Sequence, residues 1–168
     1  MVNDYDPVPG DIFTEEVTAE DKRLRRKELR KQCVDMTVED TGWDREQARE
    51  KLRETRENID VSYKDYMAFK LWRFPAEEQE EAYRKAVKKR ERLQKQKDEC
   101  IAYAMDIMGW SEEEANKQIR DARKRTGISY KDYTKYRFCL VPLEEQEAEY
   151  EKILIEKEKE AKAKETEQ

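Results

Sequence analysis

Apolar residues recur along this chain at intervals of three and four, the spacing that aligns side chains on one face of an α-helix. Leu24, Leu29, Cys33, Val34, Met36 and Val38 give such a face to a helix over roughly 22–40, which stops near Gly42. A second helix opens after Trp43, with Asp44 as N-cap and Gln47 three residues on, the spacing of a capping box. Its buried stripe is Ala48, Leu52, Thr55 and Ile59. A third opens at Ser62, carries Tyr63, Tyr66, Phe69 and Trp72, and ends at Pro75, because a residue before proline avoids the helical region. A fourth starts there, with Glu77 and Glu78 in its first turn, where the helix dipole favours acids. Its apolar spacing runs on through Tyr83, Val87, Leu93, Cys100, Ala104 and Met108 with no Gly or Pro, which predicts one long helix. Arg90 and Lys97 interrupt the stripe, so its middle is expected to be solvated.

Shifted by 67 residues, the sequence matches itself. Cys33 falls on Cys100, Gly42-Trp43 on Gly109-Trp110, and Ser62 to Tyr66 on Ser129 to Tyr133. Pro75 falls on Pro142, and Glu77 to Glu80 on Glu144 to Glu147. Between residues 33 and 83, 18 of 51 positions are identical without a gap. A register shared by a Gly-Trp pair, a five-residue block and a proline signals stacked copies of one supersecondary unit. In the second copy Ser111 and Glu114 form the capping pair, and Ala115, Ile119 and Ala122 the stripe, with Ile128 just beyond the helix. Tyr130, Tyr133, Tyr136 and Phe138 form the aromatic helix. Trp43 with Ala48, and Trp110 with Ala115, occupy the two positions of a hydrophobic staple. The expected fold is all-α, two tandem copies of a helical repeat joined by a long shared helix. The divisions are a flexible acidic N-terminus over 1–20, repeat 1 over 21–89, repeat 2 over 90–156 and a charged tail over 157–168.

Composition narrows the function classes. Of the 168 residues, 46% are charged and 36% hydrophobic, so a core has to come from narrow helical stripes. No apolar stretch approaches the length of a membrane span. The first 20 residues hold six acids and no Lys or Arg, unlike a signal peptide, and a cytoplasmic location is expected. The absence of histidine removes the commonest general base and nitrogen ligand. Three widely spaced cysteines, Cys33, Cys100 and Cys139, suit neither a disulfide framework nor a zinc site, and Cys33 and Cys100, on apolar stripes, are expected to be small buried residues. No phosphate loop, nucleophile elbow or metal-ligand spacing occurs, so no catalytic residue, metal or cofactor is expected.

Two sets of residues remain as candidates. The first is the duplicated aromatic helix: Tyr63, Tyr66, Phe69 and Trp72, with Tyr130, Tyr133, Tyr136 and Phe138. Core packing accounts for much of it. Four large aromatics on a short helix exceed one seam, so part of that face is expected to meet a partner protein or a second copy. The second is two basic runs, Lys22 to Lys31 and Arg84 to Lys97, the latter with eight basic residues and one acid, including Arg84, Lys85, Lys88, Lys89, Arg90 and Arg92. Clustered cations on a helix can follow phosphates. The middle of the chain, 21–143, carries net +6, whereas 1–20 carries −6 and 144–168 carries −5.

The block from Gly109 to Gln146, GWSEEEA…GISYKDYTKYRF…PLEEQ, resembles a short helical module of bacterial surface-polysaccharide assembly proteins. Such segments stand beside ATP-grasp-type sugar-transfer enzymes and glycerophosphotransferase-like proteins. The resemblance covers about 42–80 and 109–147 and implies an accessory or docking role next to a larger enzyme. It carries over no catalytic residue. The expected function is non-catalytic protein–protein interaction, with nucleic-acid binding through 84–97 as the alternative.

Overall fold

The computed structural model describes residues 17–167, so most of the acidic N-terminal segment lies outside it. Every regular element among the described residues is helical: α1 (Ala19–Thr41), α2 (Arg45–Asn58), α3 (Tyr63–Ala68), α4 (Ala76–Met108), α5 (Glu112–Thr126), α6 (Tyr130–Lys135) and α7 (Gln146–Thr166). Short 3-10 turns occupy Leu71–Arg73, Phe138–Leu140 and Leu143–Glu145. None of the described helices is long and apolar enough to cross a membrane. The chain divides into two compact units, Met1–Lys89 and Arg90–Gln168.

In the first unit, α1 starts earlier than its apolar pattern suggests. The Thr18 hydroxyl accepts from the Asp21 amide and the Asp21 carboxylate accepts from the Thr18 amide, which pins the start at Ala19. Leu29, Cys33, Val34 and Thr37 face inward, and Gly42 closes the helix in the left-handed region at φ 75°. Leu24 and Met36, expected on the apolar side, are 51% and 38% exposed. The reason is that α2 and α3 cover only the arc of α1 around Cys33. On α2 the Asp44–Gln47 capping box forms, and Ala48, Leu52 and Thr55 are buried.

The third segment departs from expectation. It does not run to the proline as one helix: α3 ends after six residues, Lys70 turns left-handed at φ 49°, and a 3-10 turn follows. A continuous helix rotates each successive side chain by about 100°, so it would separate Leu71 from Trp72. The break lets both enter the core beside Tyr66. Trp72 donates its indole N–H to Asp40 at 2.7 Å, and Arg73 donates to the same carboxylate at 2.6 and 2.8 Å. On α4, buried Gln79 donates its amide to the Thr55 hydroxyl at 2.9 Å and to the Leu71 carbonyl at 3.2 Å.

The second unit packs Ala104, Ala115, Ile119, Ile128, Tyr133, Phe138 and Ile153 into its interior. Ser111 accepts from the Glu114 amide, but the reciprocal half of the capping box is absent. The Glu114 carboxylate instead accepts from Gln118 at 2.8 Å. Here too the aromatic helix stops short. It gives α6, a left-handed Arg137 at φ 50°, and then the turn at Phe138. Asp132 accepts from Lys157 at 2.6 Å, which ties α7 to α6. Residues 157–166, expected as a charged tail, continue α7 as exposed helix.

Candidate functional site

The eight aromatic candidates fall into two groups. Tyr66, Trp72, Tyr133 and Phe138 are at most 3% exposed, so they cannot present a face to a partner from the folded units. They pair internally, Tyr66 with Trp72 at 5.5 Å between ring centroids and Tyr133 with Phe138 at 5.7 Å. For Trp72 and Phe138 the cause is the left-handed break, which turns the second half of each segment inward, whereas Tyr66 and Tyr133 precede it on α3 and α6. Tyr63, Phe69, Tyr130 and Tyr136 remain half-buried at the edge of each core. The basic candidates Arg84, Lys85, Lys88, Lys89, Arg90 and Arg92 are exposed on α4. Glu80 bridges Arg84 at 3.3 Å, and Glu81 bridges Lys85 at 3.0 Å.

The feature with the most developed geometry is a groove in the first unit between α1 and α2, about 1200 Å³ in volume. One wall is the outward flank of α1, with Lys27, Arg30 and Lys31. The other is α2, with Arg45, Arg49 and Arg53. The walls are tied together where Arg45 donates to Asp35 at 2.6 Å. Val34 and Leu52 lie at its floor, and exposed Leu24 stands on its rim. One end is closed by Tyr63. The Arg56 guanidinium stacks 3.8 Å from that ring's centre, and its Nε donates to the Val61 carbonyl at 3.2 Å.

This arrangement follows from local sequence. Arg45, Arg49, Arg53 and Arg56 recur every three or four residues and so form a ridge on α2, one position round from the buried Ala48–Leu52–Thr55 stripe. Arg53 is held by Glu50 and Glu57 of the same helix. Lys27, Arg30, Lys31 and Arg49 have no ion pair among the described residues.

The second unit has a smaller groove, about 380 Å³, between the C-terminal part of α4 and α5. Its cations are Lys97, Arg120, Arg123 and Lys124, and Ile101 and Ile119 lie beneath them. Arg123 stacks 3.7 Å from the Tyr130 ring centre and donates from Nε to the Ile128 carbonyl at 3.0 Å. Lys97, Ile101, Ile119, Arg120, Arg123 and Tyr130 stand 67 positions after Arg30, Val34, Leu52, Arg53, Arg56 and Tyr63.

The sequence shows one wall of the first groove, in the basic run Lys22 to Lys31, but not the groove itself, because its cations come from two helices. Its signal was nevertheless present: Arg53 and Arg56 recur as Arg120 and Arg123, whereas most exposed charges differ between the two stretches. A third hollow, beside Trp43, is lined by Glu46, Glu50 and Glu54. The three cysteines are buried and none is in a disulfide, and burial raises the thiol pKa of Cys100 and Cys139, which keeps those two protonated and poorly nucleophilic. Among the described residues no group of three acidic or cysteine side chains could hold a metal ion. Compared with protein-family models, curated proteins and solved structures, the chain has no match.

Proposed function

We propose that this chain is a non-catalytic docking protein, built from two copies of one helical repeat that share α4, and that each copy receives a partner protein in its arginine-walled groove. The observation that carries this reading is the recurrence of one geometry. In both grooves an arginine is stacked on a tyrosine and anchored through Nε to the carbonyl two residues before that tyrosine. Stacking and anchoring reduce the rotamer freedom of a long side chain, so less entropy is lost when it meets a ligand. The first groove also exceeds the usual 300–1,000 Å³ of small-molecule pockets, which favours a polypeptide segment as occupant. An accessory place beside a larger enzyme, as the sequence resemblance implies, is the setting we propose for it.

The test is chemical crosslinking and co-purification from the native host with Tyr63→Ser plus Tyr130→Ser. Both rings are half-buried at the surface, so the double variant is expected to keep its helical circular dichroism and lose its partners. An unchanged set of partners on a folded double variant would refute the reading.

A further inference from the structure

We infer that the ligand of these grooves is an acidic polypeptide segment that also carries apolar side chains, and that the first unit holds the principal site. The inference rests on the docking reading and adds the chemistry of the partner.

The charge balance comes first. The first groove is lined by seven Lys or Arg and two Glu, and the second by four Lys or Arg and no acid. Like charges gathered around one hollow repel each other, and a bound anion relieves that repulsion. In the first groove Lys27, Arg30, Lys31 and Arg49 find no anionic partner among the described residues. Arginine forks suit carboxylates as pairs of parallel hydrogen bonds.

The apolar component comes second. Leu24 is 51% exposed on the rim of the first groove, within a basic surround. A purely ionic ligand leaves it wet, whereas a leucine or phenylalanine on the ligand covers it. No leucine stands 67 residues later, where the sequence has Glu91. That difference, with the smaller volume, ranks the second groove lower.

A nucleic acid fits less well. The flank of α2 beside Trp43 presents Glu46, Glu50 and Glu54. A long polyanion leaving the groove meets those acids, while a short acidic segment does not.

The experiment is fluorescence anisotropy on the full chain. The probe is a fluorescein-labelled peptide of Glu and Asp with two leucines four residues apart. Its comparators are the same peptide with serine for leucine and a single-stranded oligonucleotide of equal charge. The acidic leucine peptide is expected to bind, and to weaken steeply with salt. Lys31→Glu plus Arg49→Glu is expected to lower affinity about tenfold or more, Arg120→Glu plus Lys124→Glu by less, and the serine peptide to bind more weakly. All four positions are solvent-exposed, and circular dichroism checks each variant. No peptide binding at low salt, or equal binding by the Lys31→Glu/Arg49→Glu variant, overturns the inference. So does an oligonucleotide that binds more tightly than the peptide with the same dependence on Lys31 and Arg49. If the Tyr63/Tyr130 variant still loses its partners while the peptide fails to bind, the docking reading stands and this inference falls.

Discussion

Replacing Tyr66 separates a core role from a docking role. Its ring is fully buried beside Trp72, and its hydroxyl is enclosed without a hydrogen-bond partner. Thr37 and Thr55 are its polar neighbours; each donates its own proton to a carbonyl, Thr37 to Cys33 at 2.7 Å and Thr55 to Lys51 at 2.8 Å, so neither donates to Tyr66, and neither oxygen stands where it accepts from the Tyr66 hydroxyl. Removing the oxygen with Tyr66→Phe therefore deletes a desolvated polar group and keeps nearly all the packing. An orphaned buried polar group costs about 1–3 kcal/mol, and part of any gain is lost to the small void, so the expected change is neutral to about 1 kcal/mol stabilising. Tyr66→Ala removes the ring and is expected to cost about 3–5 kcal/mol, a large share of the roughly 5–15 kcal/mol that holds a domain together. Urea unfolding followed by tryptophan fluorescence reads both, because Trp72 touches the ring at the mutated position. The midpoint should shift at constant slope. A Tyr66→Phe variant destabilised by more than about 1.5 kcal/mol would show that the hydroxyl does donate to a threonine, and would refute the reasoning.

Other outcomes follow from the same packing. Asp40, held below the usual carboxylate range by hydrogen bonds from Arg73 and Trp72, contributes stability that is fully present above its unfolded pKa near 4 and lost as pH falls below it. An acid titration watched through Trp72 should therefore show a first-unit loss that Asp40→Asn largely flattens. Lys70 sits left-handed without being glycine, a strain of about 1–2 kcal/mol, while glycine costs about 0.5–1 kcal/mol through the unfolded chain. Lys70→Gly should thus raise the melting temperature slightly, and a drop would show that the lysine side chain is needed there. Gln79→Leu leaves the Leu71 carbonyl without its buried donor and should lower stability by about 1–3 kcal/mol in the same urea assay.

The sequence by itself determined the helical class and the starts of α2, α3, α5 and α6. Asp44, Ser62, Ser111 and Ser129 all accept from the backbone amide three residues on, a contact that needs no tertiary partner. It also determined the buried stripes Ala48–Leu52–Thr55 and Ala115–Ile119–Ala122, since period and composition coincide there. Tertiary structure decided the rest. Whether Glu114 closes a capping box depended on a competing Gln118, and whether Leu24 was buried depended on how much of α1 its neighbours could cover. That Trp72 and Phe138 joined the core was decided by the left-handed turns at Lys70 and Arg137, because a straight helix cannot aim adjacent side chains into one interior. The grooves belong to this second class. Each arginine ridge is local, but a cationic hollow exists only where two helices bring their charges within reach of one ligand, and the chain reveals that distance only when folded.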